Sequence, residues 1–319
     1  MPTEIYIVSG FLGAGKTTLI KKLLKEAFEK EKIALIENDF GEISVDAAML
    51  KSGGVEIKEI NSGCICCSLS GDFVKALKDI LEHLKPDKII IEPSGVGKLS
   101  DIVKVCTDSK IKALAEVKSK ITVVDVKRCK MYLNNFGEFF EDQIKNADTI
   151  LLSKTDKFPE KTDEARMLIS SLNSSSRIIE KPLNQLDALE ILNKYGNTAT
   201  SPEGELVAKC CGGGHIHALG DCCCGHDHAA DEVFDTITIH TKHIFSKEEL
   251  KKQAISMEKI SKGNILRAKG IFHSKDGYMS LQYVPGEIEI IDCKAPGDVL
   301  CIIGKNLNRQ EFLSLFYGE

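Results

Sequence analysis

The sequence lacks the features that would place it at a membrane or on a nucleic acid. No apolar run approaches the roughly 20 residues that a membrane-spanning helix needs. The chain does not open with a basic segment followed by an apolar run, which argues against a signal peptide. Basic residues are not in excess, because 42 Lys and Arg stand against 47 Asp and Glu, a formal net charge of −5. We therefore expect a cytoplasmic protein with neither a nucleic-acid nor a membrane partner.

A cytoplasmic setting affects the interpretation of the 12 cysteines. Disulfides are rare in that compartment, so metal ligands, reactive thiols and core residues are the expected roles. Four cysteines lie in apolar surroundings that are typical of small core residues. They are Cys106, Cys129, Cys293 and Cys301.

The order of apolar runs predicts two domains joined by a polar segment. Strand-like runs alternate with helical patterns over residues 1–200, which predicts an α/β phosphate-loop domain with a mostly parallel sheet covered by helices. The segment 201–231 carries almost no large apolar residue and is predicted to be a flexible linker. Strand and helix patterns resume over 232–319 and predict a small α+β domain. Helical spacing is seen at residues 17–30, 139–147 and 247–260.

A glycine-rich turn follows the first predicted strand and fits the phosphate-loop pattern G-x-x-x-x-G-K-[ST]. Its glycines allow backbone N–H groups to face a phosphate, and the helix that follows adds positive potential. Lys16 would reach the β- and γ-phosphates, and the hydroxyl of Thr17 would hold a magnesium ion. A glycine-rich turn without a ligand is the alternative. The predicted nucleotide-binding residues of this loop are Gly10, Gly13, Ala14, Gly15, Lys16, Thr17 and Thr18.

Two later strand ends agree with a nucleotide site. The apolar run 88–92 ends in Glu92, whose carboxylate is placed to contact magnesium or to orient water, although an ordinary surface glutamate would look the same. Ser153, Lys154 and Asp156 end a later strand in a pattern similar to N/T-K-x-D. In that pattern the aspartate accepts two hydrogen bonds that guanine offers and adenine does not, and the lysine stem packs over the base. We therefore expect GTP rather than ATP, with a solvated turn as the alternative.

Three cysteines within four positions form a C-x-C-C motif: Cys64, Cys66 and Cys67. A regular strand would point Cys66 and Cys67 to opposite faces, whereas a turn after Gly63 would let all three converge. Three thiolates suit a soft or borderline ion such as zinc or cuprous copper, with a fourth position for another ligand or for exchange. Buried structural cysteines are the alternative.

Taken together, these motifs resemble the CobW/HypB/UreG family of phosphate-loop GTPases, and in particular its CobW-like metallochaperones. The matching segments are GFLGAGKTT from Gly10, IENDFGE from Ile36, GCICC from Gly63, EPSG from Glu92, SKTD from Ser153 and LRAKG from Leu266, the last in a CobW-like C-terminal domain. The resemblance implies GTP hydrolysis coupled to the handling of zinc, cobalt or nickel, with zinc the first expectation. It implies delivery to a client metalloprotein or a cofactor-synthesis enzyme. It also implies that Glu37 and Glu42 help the C-x-C-C thiolates to bind metal beside the nucleotide.

The polar linker carries a second set of residues with metal-ligand chemistry. Five cysteines and four histidines occur within 19 residues, with almost no large apolar residue among them. This spacing matches no single structural zinc-finger pattern, which favours a flexible store for several metal ions. A low-complexity linker with incidental ligands is the alternative. The predicted ligands are Cys210, Cys211, His215, His217, Cys222, Cys223, Cys224, His226 and His228.

A mechanism follows as a hypothesis. GTP and magnesium would order the segment 37–46, which would then share a metal ion with the C-x-C-C loop, and hydrolysis would release the metal. Lys16 would stabilise the phosphates, and Asp39, Glu42 and Glu92 are the three candidates for orienting the attacking water. Two other readings stay open, a metal-buffering protein with little turnover and a small-molecule kinase. Whether the chain forms a homodimer also stays open.

Overall fold

The computed structural model of the protein describes residues 2–29, 31–37, 56–59, 70–192, 233–260, 264–294 and 296–317, and gives only the backbone for 56–59 and 70–72. We refer to the described part of 2–192 as the first domain and to that of 233–317 as the second domain. The predicted domain limits at 200 and 231 fall outside the described residues. None of the helices in these ranges has both the length and the apolar character that crossing a bilayer requires.

A parallel sheet forms the centre of the first domain. Its strands in the described ranges are Thr3–Gly10 (β1), Ile33–Glu37 (β2), Glu56–Glu59 (β3), Lys88–Glu92 (β4), Ala115–Asp125 (β5), Thr149–Ser153 (β6) and Arg177–Ile179 (β7). They are ordered β3-β2-β4-β1-β5-β6-β7, and neighbouring strands run parallel. Strand β2 is buried along its whole length, as is typical of parallel strands covered on both faces.

Helices cover both faces of this sheet. They are Lys16–Glu26 (α1), Ser70–Asp79 (α2), Leu99–Cys106 (α3), Ser109–Lys112 (α4), Cys129–Lys145 (α5), Thr162–Leu172 (α6) and Ala188–Leu192 (α7), with a π-helical turn at Ile80–Leu84 and 3-10 turns at Pro159–Lys161 and Leu183–Gln185. Ile5 and Ile7 of β1 join the cluster formed with α2, α3, α5 and α6, whereas Tyr6 and Val8 join the cluster formed with α1 and α7. The predicted α/β architecture is confirmed.

The second domain is an antiparallel sheet with two helices. Its strands are Asp235–His240 (β8), Ile265–Ser274 (β9), Gly277–Val284 (β10), Glu287–Cys293 (β11) and Val299–Gly304 (β12), in the order β11-β10-β9-β12-β8, and its helices are Lys247–Ile260 (α8) and Arg309–Tyr317 (α9). Leu250 and Met257 of α8 and Phe316 of α9 share one buried cluster with Leu281 of β10. The predicted small α+β unit is confirmed.

The two domains share apolar contacts. Phe234, just before β8, lies 5.1 Å from the ring centroid of Phe139 and 5.6 Å from that of Phe136, both on α5. Leu266 and Ile303 of the second domain are buried in the same cluster as the α5 side chains. The second sheet therefore packs directly on the helix layer of the first.

Two helix boundaries differ from the predicted ones. Helix α1 ends at Glu26 rather than at residue 30, because the chain then turns and places Phe28 against Tyr6, with ring centroids 5.1 Å apart. Helix α5 begins at Cys129, before the predicted start at residue 139. Its first half has its own apolar stripe of Cys129, Tyr132 and Phe136, but the backbone of Phe136 is non-helical, with φ −138° and ψ 33°. The helix therefore kinks at Phe136, and the predicted segment matches only the part beyond the kink.

Candidate nucleotide and metal site

The phosphate loop joins β1 to α1 at the edge of the sheet where the parallel strands end. Gly10, Gly13 and Gly15 have φ values of 141°, 71° and 108°, which L side chains rarely adopt. A β-carbon on Gly10 would also lie 2.4 Å from the carbonyl oxygen of Val123 on β5. Both the backbone angle and the close approach to β5 therefore require glycine at Gly10. Within the loop, the N–H of Ala14 bonds to the carbonyl oxygen of Phe11 at 3.1 Å.

Lys16 is the first residue of α1, and its side chain is turned toward the end of β4. It is buried, and its Nζ lies 3.8 Å from Oε1 of Glu92. Thr17 and Thr18 follow in the first turn, where Thr17 is half-buried and Thr18 exposed. The N–H groups of a first helical turn have no partner within the helix, so this turn is suited to an anion.

Two glutamates end neighbouring strands beside this loop. Glu37 ends β2 and Glu92 ends β4, and their Cα atoms are partners in the parallel register. Glu37 is only 5% exposed. Strand β4 pairs in turn with β1, from which the phosphate loop leaves. The structure thus brings Glu37, Glu92 and Lys16 to one edge of the sheet.

The predicted guanine-reading residues lie on the other side of the loop. Ser153 ends β6, and its hydroxyl donates a hydrogen bond to the carbonyl oxygen of Ala14 at 2.6 Å. Lys154 has a left-handed backbone with φ 61°, and its Nζ lies 2.9 Å from Oδ2 of Asp125, the last residue of β5. Asp156 is exposed. The hydroxyl of Ser153 is therefore engaged with the loop backbone.

Helix α5 holds two loops of the site in place. The side-chain amide of Gln143 donates to the carbonyl oxygens of Gly95 at 3.2 Å and Gly97 at 2.8 Å, in the turn that follows Glu92. The hydroxyl of Tyr132 donates to the carbonyl oxygen of Leu12 in the phosphate loop at 3.3 Å. The positions of both loops are thus set by one helix.

A group of charged residues beside Lys154, on the predicted base-binding side of the loop, was not predicted from the sequence. Glu287, at the start of β11 in the second domain, pairs with Lys154 and Arg128. Burial on its own would raise the pKa of Glu287, but Arg128 and two neighbouring lysines lower it to about 2. Asp125 could have been recognised from the sequence, because it ends an apolar strand just as Glu92 does. Glu287 could not, because it lies far along the chain from the nucleotide-binding motifs.

Most predicted metal ligands lie outside the described residues. This applies to Glu42, Cys64, Cys66, Cys67, Cys210, Cys211, His215, His217, Cys222, Cys223, Cys224, His226 and His228. Asp39, a candidate for orienting the attacking water, also lies outside them. Among the residues that the structure does describe, no group of three or more His, Cys, Asp or Glu side chains is arranged to hold a metal ion. The C-x-C-C site and the linker site therefore stay predictions.

The described cysteines are not placed as metal ligands. Cys106 and Cys129 are buried, as predicted, and burial raises the pKa of each thiol to about 12. Neither is a thiolate at neutral pH, and thiolates are what metals bind. Cys293 and Cys301 are half-buried rather than fully in the core.

Comparison with known proteins agrees with this architecture. Residues 4–180 match the CobW/HypB/UreG nucleotide-binding domain, and residues 234–318 match the cobalamin synthesis protein cobW C-terminal domain. The zinc chaperone YeiR of Escherichia coli (strain K12) is 30% identical over 259 residues, covering 74% of this chain and 78% of YeiR. The zinc-regulated GTPase metalloprotein activator 1 of Schizosaccharomyces pombe is 28% identical over 344 residues, covering 97% of this chain and 84% of the relative. The Zn(II)-bound YjiA GTPase from E. coli aligns over 99% of this chain and 98% of its own, with 21% identity and a TM-score of 0.47.

Proposed function

This chain belongs to the CobW/HypB/UreG family and is a GTPase, and from that premise we propose that it is a metallochaperone whose metal affinity is set by the bound nucleotide. The cargo is a transition metal ion, with zinc first and cobalt or nickel next. The C-x-C-C cysteines bind it, and a client metalloprotein or cofactor-synthesis enzyme in the cytoplasm receives it. Relatives named as zinc chaperones support the choice of metal and the existence of a client.

The position of Glu37 is the observation that carries the proposal. Glu37 is buried at the end of β2, in register with Glu92, which lies 3.8 Å from Lys16 of the phosphate loop. On its other side, β2 pairs with β3, and the C-x-C-C motif follows β3 in the sequence. Because parallel strands end at the same edge of a sheet, a metal bound by Glu37 and these cysteines would lie close to the nucleotide phosphates.

The residues around the phosphate loop fit a magnesium-bound nucleotide. The hydroxyl of Thr17 and the carboxylate of Glu92 are oxygen donors, which magnesium prefers to sulfur or nitrogen. When bound, magnesium neutralises the charge that develops on the phosphate oxygens. Lys16, now beside Glu92, would turn to the γ-phosphate and leave the Glu92 carboxylate available to orient water. Asp39 and Glu42 remain the other two candidates for that role.

Metal and nucleotide are coupled through this shared edge. A triphosphate changes the partner of Lys16, and this alters the charge around Glu92 and hence around the neighbouring Glu37. By thermodynamic reciprocity, metal must change nucleotide affinity by the same factor as nucleotide changes metal affinity. Hydrolysis would then weaken metal binding at the moment when a client can accept the ion.

The test compares zinc affinity in the presence of a non-hydrolysable GTP analogue and of GDP, by competition with a chromophoric chelator. We expect a difference of about tenfold or more, within the usual range of coupling energies. A variant with Cys64→Ser, Cys66→Ser and Cys67→Ser should lose the nucleotide-dependent site. Glu37→Gln should weaken that site, whereas Glu26→Gln at the far end of α1 should not. Equal zinc affinity with both nucleotides would contradict the proposal.

A metal buffer is the second candidate, favoured by the nine cysteines and histidines between Cys210 and His228. A buffer would bind several zinc ions with no effect on phosphate release. A chaperone would show GTP turnover that changes when zinc fills the C-x-C-C site. Measuring phosphate release with and without zinc therefore separates the two functions.

A further inference from the structure

A carboxylate of the second domain contacts three cations of the first. Glu287 lies 3.1 Å from Nζ of Lys127, 3.2 Å from Nη2 of Arg128 and 3.1 Å from Nζ of Lys154. Asp125, buried at the end of β5, lies 2.5 Å from Nη1 of Arg128 and 2.9 Å from Nζ of Lys154. Lys154 and Arg128 are therefore each held between two carboxylates, one from each domain.

The turn between β10 and β11, residues 284–287, also contacts the phosphate loop. A β-carbon on Gly13 would lie 2.7 Å from Cγ1 of Val284, so the valine packs directly against this glycine. Arg128 donates from Nη2 to the carbonyl oxygen of Pro285 at 2.9 Å. The turn is thus fixed both at the phosphate loop and at the residues that follow β5 and β6.

Lys154 is the residue through which this turn can influence nucleotide binding. A lysine side chain has several rotatable bonds and loses much conformational freedom when it is fixed. Here its ammonium group is already fixed by Asp125 and Glu287. A group that is ordered before a ligand arrives does not have to be ordered on binding, which improves affinity.

We propose that Glu287 is a positioning residue of the nucleotide site, which holds the Lys154 side chain so that its stem packs over the guanine base. The second domain therefore completes the nucleotide site of the first. This inference rests on the proposed GTP site and adds to it a residue for which the sequence gives no signal. Asp125 holds the same ammonium group from within the first domain, so loss of Glu287 alone weakens the arrangement without abolishing it.

The test measures GTP hydrolysis by the full-length chain carrying Glu287→Gln. The lysine–base contact is the same in the ground state and in the transition state, so its loss should raise KM by about fivefold and leave kcat unchanged. Glu289→Gln is the matched control, because Glu289 is exposed on the same strand and the charge change is identical. Glu287→Asp keeps the charge and should recover part of the affinity.

A double-mutant cycle separates positioning from a general effect on folding. If Glu287 acts through Lys154, Glu287→Gln should raise KM in the wild-type background and add little in a Lys154→Met background. Equal effects in both backgrounds, or an unchanged KM in a folded Glu287→Gln variant, would overturn the inference. If Glu287→Gln fails to fold, the same cycle with Glu287→Asp decides the question. A wild-type chain that does not bind GTP would instead overturn the proposed function itself.

Discussion

The hydroxyl of Ser153 donates a hydrogen bond to the carbonyl oxygen of Ala14 at 2.6 Å, and so joins the end of β6 to the phosphate loop. The same oxygen atom lies 3.3 Å from the carbonyl oxygen of Val124 at the end of β5. The similarity to N/T-K-x-D predicted that Ser153 takes part in binding the base. The structure gives it a different role, because it fixes the loop backbone where three chain segments meet.

Replacing Ser153 with alanine should therefore weaken the loop. The hydrogen bond to Ala14 is lost, and the free energy of unfolding should fall by about 1 kcal/mol, the usual net contribution of such a bond. Urea denaturation measures this change. Ser171→Ala is the control, because that hydroxyl bonds to Leu168 within the exposed part of a helix. A Ser153→Ala variant as stable as the wild type would show that this bond does not stabilise the loop.

Two glycine-to-alanine changes should have opposite effects. Gly10→Ala places a methyl group against the carbonyl oxygen of Val123 at a φ of 141°, so we expect a loss of about 2 kcal/mol or more and weak GTP binding. Gly137→Ala lies inside α5, where the added carbon meets only the end of the flexible Glu141 side chain, at 3.4 Å. It should raise helix stability by up to about 1 kcal/mol. Thermal unfolding and nucleotide titration check both, and equal effects would contradict the assigned geometry.

The contribution of Glu287 should depend on pH with a definite sign. Burial opposes ionisation, but Arg128 and the neighbouring lysines lower the pKa of Glu287 from its ordinary 4.5 to about 2 in the folded chain. Its stabilisation is fully present above the unfolded pKa and is lost as the pH falls from 4.5 through about 2. The difference in Tm between wild type and Glu287→Gln should therefore be constant near neutral pH and shrink in that acidic window. A difference that grows on acidification would contradict the sign.

Cysteine alkylation should separate core thiols from metal-binding ones. Cys106 and Cys129 should remain unlabelled by iodoacetamide in the native protein, because burial raises the pKa of each to about 12. Cys64, Cys66 and Cys67 should be labelled after chelation and protected by zinc. Mass-spectrometric mapping measures both patterns. Labelling of Cys106 in the folded chain would contradict its burial, and zinc-independent labelling of Cys64 would argue against the metal site.

Lys16 should be indispensable for turnover but not for folding. Lys16→Met removes the cation that would bind the γ-phosphate, and we expect kcat to fall by about 100-fold or more. Lys25→Met, exposed near the end of the same helix, is the matched control. Phosphate release assays measure the effect, with Tm as a check on folding. Turnover that survives in Lys16→Met would argue against the assigned loop.

Local patterns accounted for much of the fold. The spacing over residues 247–260 predicted α8 with its observed limits, because a regular apolar stripe alternates there with charged residues. A carboxylate at the end of an apolar strand was expected to lie at the nucleotide site, and this rule pointed to Glu92. In the structure Oε1 of Glu92 lies 3.8 Å from Nζ of Lys16 in the phosphate loop. Applied to β5, the same rule would have identified Asp125. The start of α5 was missed although Cys129, Tyr132 and Phe136 have helical spacing, because the helix kinks at Phe136 and the prediction covered only the part beyond the kink.

Contacts between distant segments were beyond the reach of such patterns. Glu287 and Lys154 are 133 residues apart in the chain, and nothing in the alternation of β11 distinguishes Glu287 from Glu289, the other glutamate of that strand. Only the packing of the second sheet on the first brings the pair together. The C-x-C-C motif and the linker ligands stay predictions, because they lie outside the described residues.

Helix α5 touches the phosphate loop at one point and the second domain at another. Tyr132 lies 4.4 Å from the Phe11 ring, Phe136 stacks on Phe11 at 5.6 Å, and Phe136 and Phe139 both contact Phe234. Phe136 contacts both Phe11 and Phe234 and lies where the helix kinks, with φ −138° and ψ 33°. A nucleotide-driven displacement of Phe11 would therefore reach Phe234, at the entry to the second domain, through this single aromatic ring.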